Sequence, residues 1–155
     1  MWTVAVAEKE PFAVYHALRR ALDGNGRYKL ISLAGVPEKP ETFDVLLSVG
    51  EHPPQADCRV AVVSGQSAPP PLGAEQVVTY GLSPKDTLTI SSAVDRDIAL
   101  ALQREIVDVL GRRTDRQEIL LTRPTHLGLE QTLACAGGLL ALGVEAGHIP
   151  QMLRS

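Results

Sequence analysis

The chain has 155 residues, 45% of them hydrophobic and 21% charged, and a formal net charge of −3. That length fits one domain able to bury roughly 68–70% of its unfolded surface, and the composition is that of an ordinary globular protein. The slight acidity gives no electrostatic basis for a nucleic acid or an anionic membrane as partner.

The chain opens on a strand, Trp2–Ala7, and a helix, Phe12–Leu22, joined by Glu8-Lys9-Glu10-Pro11. The helix is supported by Val14, Ala17, Leu18 and Ala21 on one face, by Pro11 at its start and by Gly24-Asn25-Gly26 at its end. A strand, a turn and a helix in this order are where a phosphate-cradling loop would lie. Such a loop needs glycines, free backbone N–H groups and a Lys reaching the anion. Here the turn carries two carboxylates and a proline without an N–H, and no Gly-Lys pair occurs anywhere in the chain. Carboxylates at this point favour the positive end of the helix, the place an anion would otherwise take.

Further apolar runs bounded by turn residues follow at Tyr28–Leu33, Val45–Val49, Arg59–Ser64 and Gln76–Tyr80. They read as buried strands. The connections Ala34–Asp44, Gly50–Cys58 and Gly65–Glu75 are rich in proline and are poor helix candidates. Thr87–Ser92 alternates, with Thr87, Thr89 and Ser91 on one face and Leu88 and Ile90 on the other. We expect the hydroxyl row to be a solvated sheet face. Between Asp97 and Leu110 the pattern fits both periods: Ile98, Leu102, Ile106 and Val109 are spaced as on a helix, while Ile98, Leu100 and Leu102 alternate. With Gly111 and the later run Ile119-Leu120-Leu121, a hairpin is the preferred reading. Gly128–Leu142 reads as a helix with Leu129, Leu133, Ala136 and Leu140 on one face and Gly143 as its stop, followed by a short helix over Pro150–Leu153.

The expected architecture is α/β: a mainly parallel, Rossmann-like or P-loop-like sheet with few helices, and a C-terminal β-hairpin plus helix. Val45-Leu46-Leu47 and Val60-Ala61-Val62-Val63 are apolar on both faces, yet only two substantial helices are available to cover them. Wet residues of this kind would each forgo roughly 1.5–3 kcal/mol, so a homodimer or a partner protein is expected to cover the gap.

In order and composition these segments resemble a miniaturised central domain of the Mur ligases, the ATP-dependent enzymes that add amino acids to peptidoglycan precursors. Val4-Ala5-Val6-Ala7 with its helix is similar to that family's phosphate-loop strand and helix. Phe43–His52 is similar to its strand ending in an acidic-His motif. Arg59–Ser64 and Val77–Ser83, with Thr79-Tyr80-Gly81, resemble its later strand pair, and Pro124-Thr125-His126 with Leu142-Gly143-Val144 its last helix. The departures fall on the nucleotide site. The Gly-rich, Lys-bearing loop is replaced by Glu8-Lys9-Glu10-Pro11, and the Asn residues after the family's His are replaced by Leu127 and Glu130. Losing the Lys and the N–H cradle removes the charge stabilisation that phosphoryl transfer needs.

Sheets of this type hold ligands at the carboxyl ends of their strands. The candidate pocket is therefore Glu8, Lys9, Glu10, Glu51, His52, Ser64 and Ser67. Glu51 and His52 could pair on a metal, but with no phosphates to share the ion a loop histidine held by its neighbours is the preferred reading. Lys9 between two glutamates reads as a surface ion pair, Ser64–Ser67 as a plain turn lacking a base, and His126 as a helix-start cap. Cys58 and Cys135 have no CxxC partner and no His at ligand spacing, so neither a zinc site nor a disulfide framework is indicated. No catalytic residue, cofactor or metal is assigned. The absence of a basic-then-apolar opening segment and of a run of about 18 apolar residues leads us to expect a cytoplasmic protein. The expected function is a non-catalytic Mur ligase-like binding or scaffolding module. The alternative is an enzyme or split-ligase subunit with a rebuilt site at the strand ends, acting on a cell-wall-type or other small molecule.

Overall fold

A computed structural model of the chain describes residues 1–33, 42–50, 53–66 and 73–154. Among the described residues, ten strands and three α-helices follow in the order β1 (Trp2–Ala7), α1 (Ala13–Ala21), β2 (Tyr28–Leu33), β3 (Thr42–Ser48), β4 (Asp57–Ser64), β5 (Ala74–Tyr80), β6 (Leu88–Val94), β7 (Asp97–Leu102), β8 (Ile106–Val107), β9 (Arg113–Thr114), β10 (Gln117–Thr122), α2 (Leu129–Ala141) and α3 (Ile149–Met152). Eight of the strands form one sheet in the order β10-β7-β6-β5-β4-β3-β1-β2. Neighbours from β2 to β6 pair in parallel, whereas β6–β7 and β7–β10 are antiparallel. The molecule is thus α/β with a mainly parallel, Rossmann-like sheet and a C-terminal antiparallel hairpin followed by helix, as the sequence pattern indicates. The proline-bearing connections fall largely on residues 34–41, 51–52 and 67–72, outside the described residues. The third strand begins at Thr42, ahead of the expected Val45.

The 97–110 segment resolves in favour of alternation. Residues Ile98, Leu100 and Leu102 of β7 face the helices, and Ile119 and Leu121 of β10 stand opposite Leu100 and Ile98 on the same side. Gly111, at φ +78, turns a separate two-stranded tip, β8–β9. The buried Asp108 carboxylate braces that turn by accepting from the N–H groups of Leu110 (2.9 Å) and Arg112 (3.0 Å).

The last long helix is not amphipathic. Every residue from Thr132 to Leu142 is buried, as in a helix enclosed on all sides. Glycines allow this close approach: a Cβ on Gly137 would come within 2.9 Å of Val62 Cγ1, and one on Gly138 within 3.2 Å of Leu47 Cδ2. The helix ends in a Schellman motif, with Val144 N–H on the Leu139 carbonyl, Gly143 N–H on that of Leu140, and Gly143 at φ +88. Around α2 lie α1, which buries Val14, Ala17 and Leu18, and one face of the sheet. Five strands separate β1 from β10 (β3, β4, β5, β6 and β7). Arg20 on α1 touches His126 just beyond β10, on the segment that carries the chain from that edge of the sheet to α2.

The opposite face of β1, β3 and β4 is also covered. Leu46 and Ala61 are 0% exposed and Val63 1%, in a second cluster with Ala5, Phe43 and Cys58. The strand residues that the helix count suggested would stay wet are therefore buried within the single chain. Exposed apolar side chains of the sheet occur instead at Val77 of β5, 40% exposed, and on the far half, where Val94 and Leu120 are each 70% exposed. The expected solvated hydroxyl row is likewise corrected. Thr87 and Thr89 are buried, and Thr87 exchanges hydrogen bonds with Thr79: Thr87 N–H donates to Thr79 Oγ1 at 3.0 Å and Thr79 N–H to Thr87 Oγ1 at 3.3 Å. Only Ser91 is exposed, donating to the Glu118 carboxylate at 3.0 Å. Cross-strand pairing with Thr79 thus engages the Thr87 hydroxyl within the sheet.

Candidate functional site at the strand ends

The order β2-β1-β3-β4-β5 is the doubly wound order whose direction reverses between β1 and β3, and ligands of such sheets bind in the crevice at that reversal. The register sets Ala7 beside Ser48, Leu47 beside Val62 and Ser64 beside Tyr80, so the carboxyl ends share one rim. The rim at the reversal is closed by Val49 N–H donating to the Ala7 carbonyl at 2.8 Å.

Glu8 occupies this position. Its side chain is buried, with Oε1 accepting from Tyr15 N–H at 2.7 Å and Oε2 from Val14 N–H at 3.2 Å. Phe12, the residue at the helix boundary, sits in the left-handed region at φ 59 and has no polar side chain to cap with. The carboxylate of Glu8 therefore replaces the usual cap and satisfies two of the orphan donors of α1, beside the positive end of its dipole. Lys9 and Glu10 point into solvent, and among the described residues Lys9 has no carboxylate within ion-pair distance. Among the described residues the expected Lys9 ion pair does not form, and Glu8 is committed to the helix instead.

Other side chains fill the crevice floor. Tyr80, at the end of β5, is buried and donates from its hydroxyl to the Ser48 carbonyl at 2.8 Å, across β4. Burial, together with the nearby Glu130, Cys135 and Glu8, pushes its ionisation well above that of an ordinary phenol. Cys135 of α2 is fully buried, and burial with the Glu8 charge raises its thiol likewise. Both groups stay neutral and act as packing. Ser64 lies two strands away from Glu8 and accepts from Gln66 N–H at 3.3 Å, the geometry of a plain turn. Glu51, His52 and Ser67 lie outside the described residues. Among the described residues no group of three or more His, Cys, Asp or Glu side chains is placed to hold a metal ion.

Two constellations are not evident from sequence pattern alone. Asp86 is buried at the ends of β4 and β5, accepting from Ser83 N–H at 3.1 Å. A Cβ on either Gly65 or Gly81 would run into its carboxylate. The spacing Ser83-x-x-Asp86 is the local signal that would have found it. Arg20 Nη2 meets His126 Nε2, a contact between residues far apart in the chain with no sequence signal at all. The helix-start role expected of His126 falls instead to Gly128, whose N–H donates to Gln131 Oε1 at 2.8 Å.

Among the described residues no helix is long and apolar enough to cross a membrane. No protein-family model matches the chain, and no curated protein matches it.

Proposed function

We propose that this chain is a non-catalytic, Mur ligase-like module that has lost its nucleotide site and acts as a binding or scaffolding protein. One observation carries the reading. The Glu8 carboxylate holds the N–H groups of Val14 and Tyr15, the donors that a phosphate at this strand-turn-helix would require. A nucleotide would have to evict a buried carboxylate that caps the helix, or set its own negative charge against it. Tyr80 and Cys135 fill the neighbouring space with neutral, hydrogen-bonded or apolar groups.

Scaffolding needs a partner surface. A second copy or another chain fits best on the outer side of β6, β7 and β10, where Val94 and Leu120 are exposed. A small-molecule ligand at the strand ends would meet Lys9, Glu10 and Ser64 rather than Glu8. The buried free thiols Cys58 and Cys135 suit a reducing, cytoplasmic setting.

The test is calorimetry with ATP and magnesium at millimolar concentration. No saturable heat is expected at the strand ends, and micromolar affinity there would sink the reading.

A further inference from the structure

We propose that the exposed side of α1, with the segment after β10, forms a binding site for a small multivalent oxyanion, built from Arg20, His126 and Arg154 with Arg19 and His16 beside them. The site is distinct from the strand ends and does not depend on the reading given for them.

The Arg20–His126 contact is the starting point. A guanidinium can only donate, so Nε2 accepts and the imidazole is neutral with its proton on Nδ1. Arginine ordinarily turns its fork to a carboxylate. This chain has 18 acidic residues against 15 Lys and Arg, yet among the described residues Arg19, Arg20 and Arg154 are in no ion pair. The position of Arg19 and Arg20 in the last turn of α1 is favoured by the helix dipole. The dipole does not explain why His126 and Arg154, from two other parts of the chain, converge on the same place.

The shape suits a ligand of a few atoms. A surface hollow of about 430 Å³ is lined by His16, Arg19, Arg20 and Asp23. Arg20 also lines a recess of about 20 Å³ with His126 and Arg154, room for a single oxygen of a ligand seated in the hollow, and its guanidinium connects the two. Facing His126 are Arg20 from α1 and Arg154 from the end of α3. On its own segment Arg123 does not line the recess and donates from Nη1 to the Leu127 carbonyl at 2.5 Å, next to His126 in the chain. Asp23 is the one carboxylate lining the hollow. Burial and the Arg20 charge hold His126 below the ordinary imidazole range. An oxyanion would draw Arg20 into a forked contact, free Nε2 and let His126 take up a proton as a further donor.

The experiment is NMR titration of the histidine side chains of the full chain with pyrophosphate and, separately, citrate, with sodium chloride at matched ionic strength as control. Saturable shifts of His126, with its titration moved to higher pH, are expected. Arg20→Gln and Arg154→Gln should each weaken binding about tenfold. Preference for pyrophosphate identifies a phosphorylated ligand and preference for citrate a polycarboxylate, and either supports the site. Chloride moving His126 as far as the oxyanions do would overturn it, as would unchanged affinity in both variants. If Arg20→Gln fails to fold, the exposed Arg19→Gln replaces it beside Arg154→Gln. ATP is itself a polyphosphate, so the nucleotide experiment is repeated on Arg154→Gln combined with Arg19→Gln. Binding lost there belongs to this patch, and binding that survives belongs to the strand ends.

Discussion

Strands β3 and β10 carry the same kind of side chain in opposite circumstances. In β3 the adjacent Leu46 and Leu47 point to opposite faces and are both 0% exposed. In β10, Ile119 and Leu121 are buried while Leu120 between them is 70% exposed. Strand β3, in the parallel part of the sheet, is covered on both sides, and the edge strand β10 on one. The difference marks where the chain buries both faces of a strand in its own core and where it leaves one face to solvent.

The sharpest way to break this contrast is alanine scanning of the two strands by chemical denaturation. Leu46→Ala and Leu47→Ala should each cost about 2–5 kcal/mol, and so should Ile119→Ala. Leu120→Ala should stay within about 0.5 kcal/mol. A near-neutral Leu46→Ala would mean that the second face of β3 is not packed core.

Next in size is the cap at the strand end. Glu8→Ala removes the acceptor for two helix N–H groups and should lower stability by about 1–2 kcal/mol. Its exposed neighbour supplies the control, since Glu10→Ala should be nearly silent.

The buried thiol at the edge of the second cluster gives a pH signature. Burial, with Asp57 close by, pushes Cys58 from its ordinary value of 9.0 to about 11. The folded chain therefore keeps a proton that the unfolded chain releases. Stability from this source is complete below about pH 9 and is lost as the pH rises towards 11. The alkaline limb of a denaturation profile should flatten in Cys58→Ala, and an unchanged limb would assign the loss to other groups. The smallest effect on stability is expected for Leu120→Glu, which should fold as the parent does but shift any self-association seen by sedimentation. Equal sedimentation of the two proteins would remove this face as the self-contact.

The parallel strands are legible in the sequence because burial on both faces forces continuous runs such as Val60-Ala61-Val62-Val63. The strand-end conflict is legible because an acidic turn before a helix has few other places to direct its charge, and Glu8 takes the one expected. Long-range pairing is what local pattern cannot supply. Thr87 looks solvated until Thr79 is set beside it, and Arg20 has no visible connection to His126 until α1 packs beside α2. The full burial of α2 is hidden because its second face is made of Ala, Gly, Cys and Thr, small residues that do not register as an apolar stripe. Of the sequence-derived pocket, Glu8 proves to be a cap and Ser64 part of a turn. Residues Glu51, His52 and Ser67 lie outside the described set.

The enclosed helix also bears on synthesis. The ten described strands and α1 all precede α2 in the chain, yet α2 supplies the fully buried Leu133, Leu139 and Leu140 of the main core. A ribosome making this protein releases that apolar face of the sheet with only α1 to cover part of it. Until Leu133, Leu139 and Leu140 emerge, the rest of the face has no native helix to close on, and the contacts that complete it are among the most distant in sequence. Such an intermediate is exposed to aggregation for as long as translation lasts. Slowing elongation across the codons for Thr122–Leu142 should therefore lower the yield of folded protein without altering the stability of the molecules that succeed.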